Sequence, residues 1–527
     1  MSLATKTEAE SAAVPRDDPR RSWAAVFALA RFEARDLLRY IPVLVTLVLY
    51  VGYTAWTLFD SKEGMDAFPA LQDADRATQS GPLLFGIALF VCVNRCTLRS
   101  RRRGTDQQFD VLVMEPWRRT VAHVLSVVPF AAVTALVVLG EFTRQALRPG
   151  AVGHGSLAEL AVGPLYVLLC GVCGVLLARL VPSPFAVPVG VVGLFVLSVF
   201  ISAGTSDAEW TRWLSPIVGE NGGNTVLPSD LIGRPAAWHA LYLTGLILLL
   251  ALCAVLASGG RTLSLKAGAA GALALTLAGA VGQSGGVSPE LAAAREQVSV
   301  TPQRDQSCVR RWGSPRSSEA ETGGGSTYCA FPEWTGRAAD WAGVVDRVQS
   351  LAGGTAARQP LLVRQRVDAR YGLSGDAAID PLTTPHQVTV DTRWGGNRVP
   401  EFAVAVSYVL VAGDESKGSE LCDGRVVTTM WLALGGASHP MTDLANVRLD
   451  DSVTGSAYVL APTSGLSMTA GQTDVVRELL QRPRGEVTAS VKQHWTELTA
   501  PGVSTAQVAR VLGAEVPKGA KDCEDEE

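Results

Sequence analysis

Polar and apolar positions along this chain follow two different rhythms, and the change between them comes a little past the midpoint. A stretch must hold roughly 17 to 25 mainly apolar residues to cross about 30 Å of hydrocarbon. Runs at 41–59, 82–98, 121–140, 160–178, 185–203 and 240–257 meet that length. A seventh, 267–281, is shorter and rich in Ala and Gly, and it reads either as a span or as an interfacial or buried helix. From Ser284 onward the apolar stretches shrink to the length of strands and short helices. The pattern predicts a membrane all-α bundle of six to seven transmembrane helices (41–283), preceded by a leader (1–40) and followed by a soluble α+β domain (284–527).

Within the leader, Arg31, Arg35 and Arg39 recur every four residues and share one helix face. Val26, Leu29, Leu37 and Tyr40 populate the other side, interrupted by Glu33, so 22–40 reads as an interfacial helix feeding the first span. A plain solvated basic leader is the alternative. A cleaved signal peptide is not expected, because about forty polar or mixed residues precede the apolar run and no small-residue cleavage site follows it.

In the tail, 361–367 and 387–390 have the branched, apolar content of strands, and 402–411 and 426–434 are expected to add two more. The stretch 332–351 predicts a helix, with Trp334, Ala338, Trp341, Val345 and Val348 on one buried face. Further helices are expected at 475–480, 486–498 and 504–512, the last opened by Ser504 and Gln507 as a capping box.

Charge orients the bundle. Lys and Arg collect on the cytoplasmic side of short membrane loops. Arg16, Arg20, Arg21, Arg31, Arg35 and Arg39 precede the first span, and Arg99, Arg101, Arg102, Arg103, Arg118 and Arg119 lie between the second and third. Both segments therefore belong inside. The 60–80 loop carries Asp60, Glu63, Asp66, Asp73 and Asp75 against Lys62 and Arg76, which suits the outer face, and among the short loops the exception is the one holding Arg144 and Arg148. With a cytoplasmic amino terminus, seven spans leave the carboxy-terminal domain extracytoplasmic.

Composition agrees with a two-part chain: 527 residues are 47% hydrophobic and 18% charged, and mean hydropathy is +0.20. The excess of Arg over Lys, with abundant Ala, Gly and Val, suits a GC-rich bacterium. A net charge of −4 with no extended basic field outside the membrane flanks gives no indication of a nucleic-acid partner.

Of the 9 Cys, Cys92, Cys96, Cys170, Cys173 and Cys253 lie in membrane runs, and Cys308, Cys329, Cys422 and Cys523 lie in the tail. An even set outside the cytoplasm is expected to pair. Four cysteines permit three connectivities, of which Cys308–Cys329 with Cys422–Cys523 is favoured; four unpaired thiols is the alternative.

Catalytic spellings fail on context. Gly282-Gln283-Ser284-Gly285-Gly286 fits a nucleophile elbow by letters only, since it follows an apolar helix rather than a strand. Cys170 and Cys173 have metal or redox spacing but sit mid-span without a His or carboxylate, so small-residue packing is the better account. His386, His439 and His494 are scattered, and the chain has neither a His-Glu-x-x-His zinc helix nor a phosphate-cradling G-x-x-x-x-G-K-[ST] loop. No enzyme, cofactor or metal site is expected. The centres of the spans hold no ionisable side chain that would couple them to an ion gradient; Arg95, His123, Glu141, Arg179 and His239 fall near span ends.

The segments Ala30-Arg31-Phe32-Glu33-Ala34-Arg35, Arg102-Arg103-Gly104-Thr105-Asp106 and Glu115-Pro116-Trp117-Arg118-Arg119-Thr120, with the span count, resemble the permease subunits of type-two ATP-binding-cassette exporters of the high-GC bacterial branch. The resemblance covers about the first 260 residues. It implies a coupling helix at 106–119 that fits a groove on a separate cytoplasmic ATPase, with Phe109, Val111, Leu112, Val113 and Met114 as apolar contacts, Trp117 beside them and Arg118 and Arg119 as flanking charges. It also implies a homodimer or heterodimer of permease subunits in the lipid membrane. The alternative for these arginines is headgroup anchoring alone. The tail departs from the six-span family pattern, although Tyr328-Cys329-Ala330-Phe331-Pro332-Glu333 looks similar to outer domains appended to some actinobacterial-like permeases. The expected function is export of a hydrophobic or amphipathic molecule; the rival is a membrane-anchored sensor or envelope scaffold with no transport activity.

Overall fold

The computed structural model describes residues 19–59, 64–104, 114–183, 185–199, 212–218, 226–311, 325–372, 378–450 and 456–516. Helix α1 (Pro19–Arg39) leads directly into α2 (Ile41–Phe59). The short α3 (Leu71–Ala77) precedes α4 (Leu83–Thr97), and α5 (Pro116–Leu125) runs into α6 (Val128–Ala146). The bundle is completed by α7 (Leu157–Leu180), α8 (Ala186–Val199), α9 (Ala236–Ala257) and α10 (Leu263–Gln283).

Among the described residues five helices are long and apolar enough to cross a membrane: α2, α5 with α6 as one segment, α7, α9 and α10. The Ala- and Gly-rich run at 267–281 lies within a helix of 21 residues, begun by Thr262, whose hydroxyl accepts from the Leu265 N–H. The other two expected spans are shorter. α4 has 15 residues and α8 has 14, about 22 Å at 1.5 Å per residue. α4 is also enclosed, with Phe85, Leu89, Cys92, Val93 and Cys96 in a core shared with Val43 of α2, Phe130 of α6 and Val167 of α7.

Backbone closeness holds α9 against α10. A Cβ at Gly245 would meet the Thr276 backbone nitrogen at 2.5 Å, and one at Gly279 would meet that of Tyr242 at 2.5 Å. Small residues let helices approach where no hydrophobic force drives them together. Gly171 and Gly174 do the same for α7: a Cβ at Gly171 would lie 2.3 Å from Val127 and one at Gly174 2.6 Å from the Phe90 carbonyl. Cys170 is buried in this packing, with Phe90 and Tyr166.

Beyond α10, α11 (Pro289–Val300) starts on a Ser288 cap and leads into the α+β domain. Its larger sheet runs β1 (Ser307–Arg311), β2 (Ser326–Ala330), β3 (Leu362–Gln365) and β4 (Gln387–Val390), in that spatial order. β1 and β2 are antiparallel, whereas β2, β3 and β4 are parallel. Cys308 faces Cys329 across β1 and β2, and the two form a disulfide. Cys422 is also disulfide-bonded; its expected partner, Cys523, lies outside the described residues.

The parallel crossover from β2 to β3 carries a 3₁₀ turn (Pro332–Arg337) and α12 (Ala338–Leu351), which bury Trp334, Trp341, Val345 and Val348 as the spacing predicts. α13 (Arg398–Ala412) and α14 (Arg425–Leu434) follow. A second sheet, antiparallel, joins β5 (Arg448–Asp450), β6 (Ala457–Val459) and β7 (Leu466–Met468). α15 (Ala470–Gln481), α16 (Arg484–Gln493) and α17 (Thr505–Leu512) close the domain, α17 through the Ser504/Gln507 capping box.

Two expectations are corrected. The runs 402–411 and 426–434, read as strands, lie in α13 and α14. Every residue from Phe402 to Val409 and from Val426 to Leu434 is buried. An apolar run enclosed on all sides shows neither a 3.6-residue nor a two-residue period, so pattern cannot choose between helix and strand. α13 ends where Gly413 takes φ 99°, a conformation open to glycine.

Candidate functional site

The ends of the bundle are distinct. The loops at 64–77, 148–156 and 226–235 pack against the α+β domain, so each helix has a domain end and a distal end. α1 and the start of α5 lie at the distal end.

At the distal end α1 turns Val26, Ala30, Glu33 and Leu37 inward. Glu33, the interruption in its apolar side, accepts from Arg99 at 2.8 Å, and Asp36 accepts from the same guanidinium at 2.5 Å. Burial pushes the Glu33 carboxyl above the usual carboxylate range, against the pull of Arg99. Ligand atoms of Glu33, Asp36 and Cys96 lie within 4.8 Å of one another, a spacing that suits a metal ion. Arg99 already supplies positive charge to both carboxylates, so the cluster reads as a clamp tying α1 to the end of α4.

Of the expected coupling residues, Phe109, Val111 and Leu112, like Val113, lie outside the described residues. Met114 is half-buried just before α5. Trp117 and Arg118 open α5 behind Pro116, which is suited to a first helical turn because its missing N–H needs no partner there. The Trp117 ring packs edge-on against Trp23 of α1 at 6.3 Å, the Arg118 guanidinium lies 5.3 Å from the Trp117 ring centre, and Arg118 pairs with Glu115 at 3.2 Å. Arg119 follows half-buried. Ala122 packs on Val26 and Ala30, and Thr120 donates to the Ser258 hydroxyl at 2.7 Å. The aromatic and basic start of α5 is thus braced by α1 on one side and by the end of α9 on the other.

At the domain end, polar groups are buried in a network that sequence reading missed. Glu159 accepts from Arg234 at 2.7 Å and from Gln79, and the Arg234 guanidinium lies 5.2 Å from the Trp213 ring centre. Asp75 Oδ2 accepts from the Ser156 N–H at 2.7 Å, while Oδ1 is buried with no hydrogen-bond partner among the described residues. Burial raises the Asp75 carboxyl to about 6; the Ser156 hydrogen bond opposes the rise and the charge of Glu159 adds to it. A cavity of about 140 Å³ is lined by Gln72, Asp75, Glu159 and Arg234.

The α+β domain is tied to this end. The Val226 N–H donates to Thr392 Oγ1 at 3.2 Å, the Ser229 N–H to Glu333 at 3.2 Å, and Arg337 donates to the Gly150 carbonyl while stacking 4.4 Å from the Phe68 ring centre. Arg295 of α11 donates to the Leu231 and Ile232 carbonyls at 2.9 and 2.7 Å. Val226, Leu227 and Leu231 join the domain's own core. Arg148, the exception to the charge scheme, donates to the Asp66 carbonyl at this end and so has a protein partner there.

A cleft of about 430 Å³ opens along the seam. Tyr53 and Thr57 of α2 and Glu141 and Gln145 of α6 line its bundle side; Arg337 and Trp394 line its domain side. It offers aromatic surface and charged groups together, the mixed lining that suits an amphipathic molecule. These partners are tens to hundreds of residues apart, so the only signal in the sequence was the presence of charged side chains at span ends. Comparison with known protein families, curated proteins and solved structures finds no match to this chain.

Proposed function

We propose that this chain is the transmembrane permease subunit of an ATP-binding-cassette exporter, which moves a hydrophobic or amphipathic molecule outward on the energy of a separate cytoplasmic ATPase. The observation that carries the reading is the braced start of α5. Trp117, held edge-on against Trp23 and covered by Arg118, gives a rigid aromatic and basic platform that follows residues 105–113 in sequence. Thr120, bonded to Ser258, ties that platform to a spanning helix, so a push at this point would be transmitted to the bundle.

In this reading the distal end is cytoplasmic and the α+β domain extracytoplasmic. Exposed Arg101, Arg102 and Arg103 at one end and oxidised cysteines at the other support that orientation. α8 and the enclosed α4 complete a seven-span bundle. α2 presents Ile41, Leu49, Tyr53, Trp56 and Phe59 outward, a surface fit for lipid or a second permease subunit. The seam cleft lies where an amphipathic cargo would leave the outer leaflet.

The test is co-purification with an ATP-binding-cassette ATPase from the same operon. Trp117→Ala and Arg118→Glu are each expected to lower ATPase association at least tenfold while leaving the permease folded in detergent. Unchanged association in both would remove the docking role. The second reading, a membrane-anchored sensor or scaffold, is favoured by the many hydrogen bonds across the seam, which suit a fixed domain; it predicts that no such ATPase co-purifies.

A further inference from the structure

A second concavity lies at the distal end, apart from the seam and from the platform. It is a groove of about 550 Å³, within the roughly 300–1,000 Å³ of ligand sites. α1 contributes Phe27, Ala34 and Leu38, α2 contributes Leu47, and the junction of α5 with α6 contributes Leu125 and Val133. The groove exists because that junction is broken. Pro129 has no N–H to give the Leu125 carbonyl, the helix interrupts at Ser126 and Val127, and the Pro129 ring lines the gap.

Two charged residues line the groove, Arg31 and Arg35, and neither has an ion pair among the described residues. The acids of α1 are committed elsewhere: Glu33 and Asp36 both bind Arg99 on the inward face. Arg31 and Arg35 stand one helical turn apart, about 6 Å, close enough for two guanidinium groups to hold one phosphate between them. The chemistry is therefore an acyl-sized apolar slot beneath a cationic pair with no ion-pair partner among the described residues.

We infer that this groove holds one anionic phospholipid of the leaflet on the α1 side, with its phosphate between Arg31 and Arg35 and an acyl chain between α1, α2 and the α5–α6 break. The lipid adds a bridge between α1, α2 and the α5–α6 break beside the direct packing of Val26 and Ala30 on Ala122, and it fixes the angle at which α1 lies on the bundle. The inference does not depend on transport, since the groove and its charges are independent of what the α5 platform docks.

Native mass spectrometry of the detergent-purified chain, stripped of lipid and titrated with phosphatidylglycerol or phosphatidylcholine, tests it. One phosphatidylglycerol is expected to bind at least tenfold more tightly than phosphatidylcholine, and Arg31→Gln with Arg35→Gln is expected to abolish that preference. Arg102→Gln with Arg103→Gln, exposed arginines at the same end, should leave it intact. Val133→Trp should displace the lipid by filling the slot, with helix content by circular dichroism confirming the fold. Equal binding of the two lipids, a preference that survives the Arg31/Arg35 change, equal loss in the Arg102/Arg103 control, or a second copy of the chain filling the groove in place of lipid would each overturn the inference.

Discussion

Replacing Asp75 by Asn isolates the cost of a buried carboxylate at the seam. Asp75 keeps one oxygen on the Ser156 N–H, its other oxygen has no hydrogen-bond partner among the described residues, and its carboxyl is raised from 3.8 to about 6, chiefly by burial. Each tenfold change in a protonation equilibrium is worth about 1.4 kcal/mol, so a rise of roughly two powers of ten places about 3 kcal/mol against the ionised folded state. Because the folded value lies above the unfolded one, the protonated acid favours folding. That contribution is complete below about pH 3.8, falls by roughly half near pH 5 and is lost above about pH 6. At pH 7.5 the native protein carries the whole penalty. Asn retains the acceptor for Ser156 and removes the charge, but gives up a charge-assisted hydrogen bond worth roughly 1 kcal/mol. Asp75→Asn is therefore expected to stabilise the seam by about 1–2 kcal/mol at pH 7.5, and the advantage should shrink towards zero by pH 4. Hydrogen exchange at the Ser156 amide, compared between variant and parent at each pH, reads this directly: protection should rise roughly five- to thirtyfold at pH 7.5. Equal or faster exchange in the variant at pH 7.5, or an advantage undiminished at pH 4, would refute the reasoning.

Two further outcomes follow from packing and covalent geometry. Removing the disulfide with Cys308→Ser and Cys329→Ser frees a loop with a sequence separation of 21, which should cost the α+β domain about 3 kcal/mol in denaturant unfolding; an unchanged midpoint would show that the bridge contributes nothing. Gly279→Ala drives a Cβ to within 2.5 Å of the Tyr242 backbone and should lower thermal stability in detergent by about 1–3 kcal/mol, whereas Gly271→Ala, with nothing within 4 Å of its added Cβ, should be neutral or slightly stabilising.

The elements most legible in the sequence were those whose own composition suffices to define them. A stretch such as Ile41–Phe59 must be helical in lipid, because no other local structure satisfies its backbone there. The Ser504/Gln507 cap and the buried face of 332–351 were likewise readable from side chains three or four positions apart. The helices at 402–411 and 426–434 were misread because their environment is apolar on every side, and only the surrounding core decides their conformation. Of the candidate site, the basic and aromatic start of α5 was visible as a motif, but its brace on Trp23 and Ser258 was not.

What the sequence determined by itself was the division into an apolar bundle and an α+β tail, the amphipathic character of α1 and the supply of cysteines for pairing. These are properties of composition and short-range period. The tertiary structure decided that Glu33 and Asp36 share Arg99, that Glu159 meets Arg234, that Cys308 faces Cys329, and that the helix break at Ser126 and Val127, just ahead of Pro129, leaves a slot beside Arg31 and Arg35. Each joins positions on separate elements, and partners brought together by packing leave no periodic trace along the chain.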